Sequence, residues 1–157
     1  MHALKLRGKK TMAKDTEGGF LVTQVKQISG RIFEKLLMKA GIEAFNGAQG
    51  RILYVIWQED GIPIMELARK TGLAKTTLTS MLDRMEEADL IVRKPSQLDK
   101  RRIHIFLTET SRSLNHEYNK VCHAMNEIYY AGFSDEEITA FENNLKRILS
   151  NLNGIIP

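Results

Sequence analysis

Two clusters of side chains have the types and spacing to grip a polyanion. Lys75, Thr76, Thr79, Ser80 and Asp83 fall on one side of a helical wheel, with Thr77 and Arg84 on its flank. They mix donors and acceptors, as hydrogen bonding to base edges and phosphates in a DNA major groove requires. The second cluster is denser: five of the ten residues from Arg93 to Arg102 are Lys or Arg, namely Arg93, Lys94, Lys100, Arg101 and Arg102, with Asp99 among them. A hairpin tip carrying charge in this way suits the backbone or minor groove of a duplex. A solvated surface turn is the alternative.

Both clusters need elements to hold them. Leu78, Met81, Leu82 and Met85 recur at i, i+3, i+4 and i+7 and make the apolar face of a recognition helix starting near Lys75. Ahead of it, Ile64, Leu67 and Ala68 form a short helix that Gly72 can end, because glycine adopts the left-handed conformation without Cβ strain. Behind it, Leu90, Ile91 and Val92 lead into Arg93-Lys94-Pro95. Ile103, Ile105 and Leu107 then alternate with His104 and Phe106 as a half-buried strand does. Two strands are thus expected to flank the basic loop. The paired helices alone would fit any small helical domain; with the hairpin, they read as a winged helix-turn-helix.

These residues carry a family resemblance. The run Gly72-Leu73-Ala74-Lys75-Thr76-Thr77-Leu78-Thr79-Ser80-Met81-Leu82-Asp83-Arg84-Met85-Glu86, followed by Leu90-Ile91-Val92-Arg93, Asp99-Lys100-Arg101 and Leu107-Thr108, resembles the MarR family of bacterial transcriptional regulators. Upstream, Phe45-Asn46-Gly47-Ala48-Gln49 with Ile52-Leu53, and Glu66-Leu67-Ala68, resemble the segments around its second and third helices. The resemblance implies a regulator of transcription, most often a repressor. It also implies that Arg101 enters the minor groove while Asp99 orients it through a charge-assisted hydrogen bond. A small-molecule effector pocket between the dimer helices and the winged domain is implied as well. Phe33, Trp57 and Tyr118 exemplify the generic apolar faces on which its lining would lie. The chain departs from the pattern at Ala74, Asp89 and Ser111, and at Pro63, where caps or glycines are usual; none of these touches the wing motif.

Outside the module the chain is helical. Leu21, Val25, Ile28, Ile32 and Leu36 make a stripe from about Phe20 to Lys39, and Leu114, Tyr118, Val121, Met125 and Ile128 make another from Ser111 to Tyr130. A third helix is announced by the capping box of Ser134 with Glu137, with Phe133 and Ile138 at hydrophobic-staple positions, and by the stripe Ile138, Phe141, Leu145, Ile148, Leu149 and Leu152. A module of about sixty residues has too little core to cover such faces. Pairing them with a second copy gives a homodimer suited to a pseudo-palindromic double-stranded operator; an intramolecular bundle in a monomer is the alternative. The expected fold is mainly α with a small β-hairpin wing. Its parts are a disordered basic leader (1–15), an N-terminal dimerisation helix (16–44), the winged helix-turn-helix (45–110) and C-terminal dimerisation helices (111–157).

Composition narrows the function classes. The 157 residues carry a net charge of +4, so the chain is no blanket polycation and its basic residues must act locally. The leader holds Lys5, Arg7, Lys9, Lys10 and Lys14 but no apolar core of the roughly seven residues a secretory signal needs. The longest apolar run, Ile52 to Trp57, falls well short of the about 18 residues of a membrane span, and a cytoplasmic location without membrane contact is expected. No nucleophile motif or phosphate-cradling glycine loop is present, so neither catalysis nor a cofactor is expected. His116 and His123 share a helix face but stand about 10 Å apart along the axis, too far to hold one metal ion by themselves. Cys122 is the sole cysteine and is expected to be an inert, buried thiol. The competing reading is a winged-helix module for protein or ligand binding without DNA activity.

Overall fold

The computed structural model describes residues 15–156, so all but the last residue of the expected basic leader lies outside the described residues. Helix α1 spans Gly18–Lys39 and leads to α2, Gly47–Gln58. Three hydrogen bonds satisfy the start of α2. Asn46 Oδ1 accepts from the Gln49 amide at 2.8 Å, the Gln49 side chain accepts from the Asn46 amide at 3.1 Å, and Glu34 of α1 accepts from the Gly47 amide at 2.6 Å. These bonds serve N–H groups that a helix leaves without intrahelical partners. A Cβ at Gly47 would meet that Glu34 oxygen at 2.6 Å and the Phe33 ring at 3.2 Å, so a larger residue there would require the Glu34 side chain to move and lose its bond.

Strand β1 (Ile62–Pro63), α3 (Ile64–Thr71) and α4 (Lys75–Glu87) follow. Gly72 ends α3 at φ 71°, the left-handed conformation expected of it. Strands β2 (Ile91–Pro95) and β3 (Ile103–Leu107) form the wing hairpin, with Ile91 opposite Leu107 and Pro95 opposite Ile103. The sheet has three strands rather than the two expected, in the order β1-β3-β2, because Ile62 and Pro63 pair with Ile105 and His104. A two-residue strand is too short to show alternation, so its partner alone reveals it.

The helix expected from Ser111 to Tyr130 is also different: it comprises α5 (Glu109–Ser113) and α6 (Asn115–Tyr129). Thr108 caps α5, its hydroxyl accepting from the Ser111 amide at 3.2 Å while Ser111 Oγ accepts from the Thr108 amide at 3.1 Å. This reciprocal cap starts the helix earlier than its apolar stripe suggests. Helix α7 (Asp135–Asn153) begins at the expected capping box, with Ser134 Oγ accepting from the Glu137 amide at 3.1 Å. Phe133 remains half exposed and sets its ring against Tyr130.

The core lies where the winged module meets α2 and the start of α6. Leu67, Leu78, Leu82, Met85, Leu90, Ile91 and Ile105 are buried together with Ile52, Leu53 and Ile56 of α2. Tyr118 and Val121 bring α6 into this core, while Phe33 of α1 meets Tyr118 edge-on at 5.8 Å between ring centroids. Among the described residues, no helix is long and apolar enough to cross a membrane.

Candidate nucleic-acid interface

Burying Leu78, Leu82 and Met85 forces the opposite face of α4 outward. Lys75, Thr76, Thr77, Ser80, Asp83 and Arg84 are exposed there. Thr79 is half-buried and its hydroxyl donates to the Lys75 carbonyl one turn back at 2.9 Å. It offers the solvent less than expected. Ala74, in the cap position, provides no side-chain bond, so the first amides of α4 remain open towards solvent.

A pair of carboxylates fastens the wing to this helix. Arg93 on β2 reaches Asp83 at 2.7 Å and Glu86 at 3.0 Å, and its amide donates to Glu86 at 3.0 Å. The Arg93 side chain holds the Glu86 carboxyl below its ordinary range, with the backbone N–H reinforcing the effect. Glu86 and then Asp83 raise the guanidinium in return. Of the residues expected at DNA, Arg93 is therefore engaged by its own protein, tying β2 to α4. A lone sequence reading sees its charge but not these acids, which lie seven and ten residues earlier on another element.

Beyond the brace, the wing carries exposed cations. Lys94 lies over the Phe106 ring, 5.4 Å from its centroid, and is exposed together with Lys100, Arg101 and Arg102. Asp99 Oδ1 accepts from both the amide and Nε of Arg101, at 3.1 and 3.2 Å, while the Arg101 side chain remains 92% exposed. Ser96 Oγ accepts from the amides of Leu98 and Asp99 at 3.2 and 3.4 Å, and the Ser96 amide donates to the Arg102 carbonyl at 2.8 Å. The tip is consequently ordered before it meets a partner. Ser96 was not among the expected site residues, although a serine opening a turn is the available signal.

The base of the wing is latched as well. Asp89 takes the left-handed φ of 58° that a glycine would adopt more easily. Its carbonyl accepts from Thr108 Oγ1 at 2.7 Å and its carboxylate from Thr110 Oγ1 at 3.2 Å. Two threonines thereby hold the bend.

A cavity of about 560 Å³ opens between α1, α6 and α7. Phe33 and Tyr118 line it with Val25, Met125 and Phe141, while Lys26, Arg51 and Glu142 contribute charge. Trp57 is not in its wall. Its Nε1 donates to the Ser111 carbonyl at 3.0 Å and its ring packs on Phe45 and Tyr118, so it belongs to the joint between α2 and α5. Cys122 is half-buried in the cavity wall, and burial pushes its thiol up. His116 and His123 are exposed, and no metal-holding cluster occurs among the described residues.

A family model for the MarR family matches residues 45–103, the span from the cap of α2 to the return strand of the wing. Over this span the chain resembles the MarR family. The transcriptional regulator TtmR of Methylorubrum extorquens is 27% identical over 138 residues, covering 88% of this chain and 68% of TtmR. MgrA of Staphylococcus aureus is 32% identical over 66 residues, which are 42% of this chain and 45% of MgrA. Escherichia coli MarR C80S, solved with operator DNA, shares the fold with a TM-score of 0.74 at 23% identity, over 83% of this chain and 92% of that one. The likeness in fold thus extends beyond the winged module to the flanking helices.

Proposed function

We propose that this protein is a sequence-specific regulator that binds double-stranded operator DNA as a homodimer, acting as a repressor relieved by a small-molecule effector. The reading rests chiefly on one observation: an arginine exposed at 92% and oriented by Asp99 stands on a hairpin that Arg93 ties to the recognition helix. Lys75, Thr76, Thr77, Ser80 and Arg84 face the major groove, and the open amides at Ala74 take a phosphate. Lys94, Lys100 and Arg102 neutralise backbone charge, while Arg101 enters the adjacent minor groove.

The second copy is argued from uncovered surface. Helix α7 has no buried residue, and Ile148, Leu149 and Leu152 are each about half exposed, as are Leu21, Val25 and Ile28 of α1. Two-fold pairing of these faces covers them and presents two recognition helices to a pseudo-palindromic site. The cavity lies beside the same helices, so an apolar ligand with a polar end would change how they pack and hence the separation of the two reading heads.

The test is selection of duplexes from a random pool, followed by affinity measurements across salt concentrations. Arg101→Ala is expected to weaken binding by about 1–3 kcal/mol and to lower the salt slope by about one unit. Unchanged affinity at matched salt would remove the wing from the mechanism. Absence of any salt-dependent duplex binding by the unaltered protein would favour the protein-binding or ligand-binding alternative.

A further inference from the structure

Leu98 is 100% exposed at the tip of the wing. The exposed apolar side chains of α1 and α7 belong to continuous faces, whereas Leu98 belongs to neither. A single exposed leucine is ordinary on a protein surface. This one differs in its setting: its amide is pinned to Ser96 Oγ at 3.2 Å, its neighbour Asp99 orients Arg101, and the surrounding loop consists of polar and cationic residues. The hairpin thus presents an exposed hydrocarbon side chain, on a backbone held by Ser96, three residues from the guanidinium that Asp99 contacts.

We propose that Leu98 is a specificity-determining residue that packs against the floor of the minor groove beside Arg101 and discriminates against G·C pairs there. The inference rests on the duplex-binding reading above. An A·T pair presents only the N3 and O2 acceptors in the minor groove, whereas a G·C pair adds the guanine 2-amino donor. A leucine methyl cannot accept that donor's hydrogen bond and displaces the water that does, so contact over guanine leaves a polar group unsatisfied. Over A·T the narrower groove gives the methyl groups closer walls and strengthens the attraction for Arg101. Hydrogen bonds already order the loop, so little conformational freedom is lost on contact.

The experiment uses the full chain and an operator selected from a random pool, with the base pairs beneath the wing located by minor-groove footprinting. Those pairs are then made A·T, G·C or inosine·cytosine, the last lacking the 2-amino group, and Kd is measured at fixed salt. The unaltered protein is expected to prefer A·T over G·C by about tenfold, with inosine·cytosine restoring most of the affinity. Leu98→Ala should reduce that preference to about twofold or less while keeping the salt slope, whereas Arg101→Ala should lower the slope. A Leu98→Ala protein that keeps the full preference overturns the proposal and leaves the duplex-binding reading intact. If the unaltered protein binds no duplex in a salt-dependent way, both fall.

Discussion

Arg93 and Arg101 show how two arginines in one basic segment perform different work. Arg101 has one acidic neighbour and a nearly free guanidinium, so its charge remains available to phosphate or a groove. Arg93 has two, with its side chain only 27% exposed, and its donors point at α4. We expect Arg93→Met to cost about 1 kcal/mol of stability in urea unfolding, since partly exposed pairs contribute little each. Operator affinity should fall through misalignment while the slope of log affinity against log salt stays unchanged, because no phosphate contact is removed. A slope reduced as far as that of Arg101→Ala would place Arg93 on the DNA. The charges of both arginines were legible in the sequence. Their division was not, because Asp83 and Glu86 approach Arg93 only after the strand folds back on the helix.

Among the elements, α4 combines a well-defined apolar face with a weak beginning. Its cap residue Ala74 has the extended φ and ψ of −62° and 145° that a capping serine would adopt, yet supplies no acceptor. Ala74→Ser is therefore expected to stabilise the fold by about 0.5–2 kcal/mol, read as a higher urea midpoint at an unchanged m-value. No gain would mean that solvent already satisfies those amides. By contrast, Asn46, Thr108 and Ser134 cap α2, α5 and α7 with reciprocal side-chain bonds. The Ser134 box was readable because serine, glutamate and the following apolar stripe lie together in the chain. The Thr108 box escaped because its third position is serine rather than the usual glutamate or glutamine.

For the whole molecule, uncovered apolar surface at both ends of the chain dominates. Leu149 and Leu152 are 56% and 55% exposed, and folding of a single copy gains little from them. Leu149→Glu with Leu152→Glu should leave the winged module folded, convert a dimer to a monomer in analytical ultracentrifugation, and abolish cooperative binding to a two-half-site duplex. A variant that still sediments as a dimer would move the interface elsewhere. Because dimer stability depends on protomer concentration, the unaltered protein's melting temperature should also rise as it is concentrated.

Periodicity and local chemistry sufficed for α1, α3, α4 and α7, the wing hairpin and Gly72 as a helix stop, while the Asp99-to-Arg101 pair was implied by the family resemblance. Each is decided by residues a few positions apart, within reach of one turn or one loop. Only the folded chain joined β1 to β3, withdrew Trp57 from the cavity wall, bound Arg93 to α4 and left Leu98 bare at the tip. Those outcomes depend on contacts between distant segments, for which neither spacing nor residue type carries a local signal.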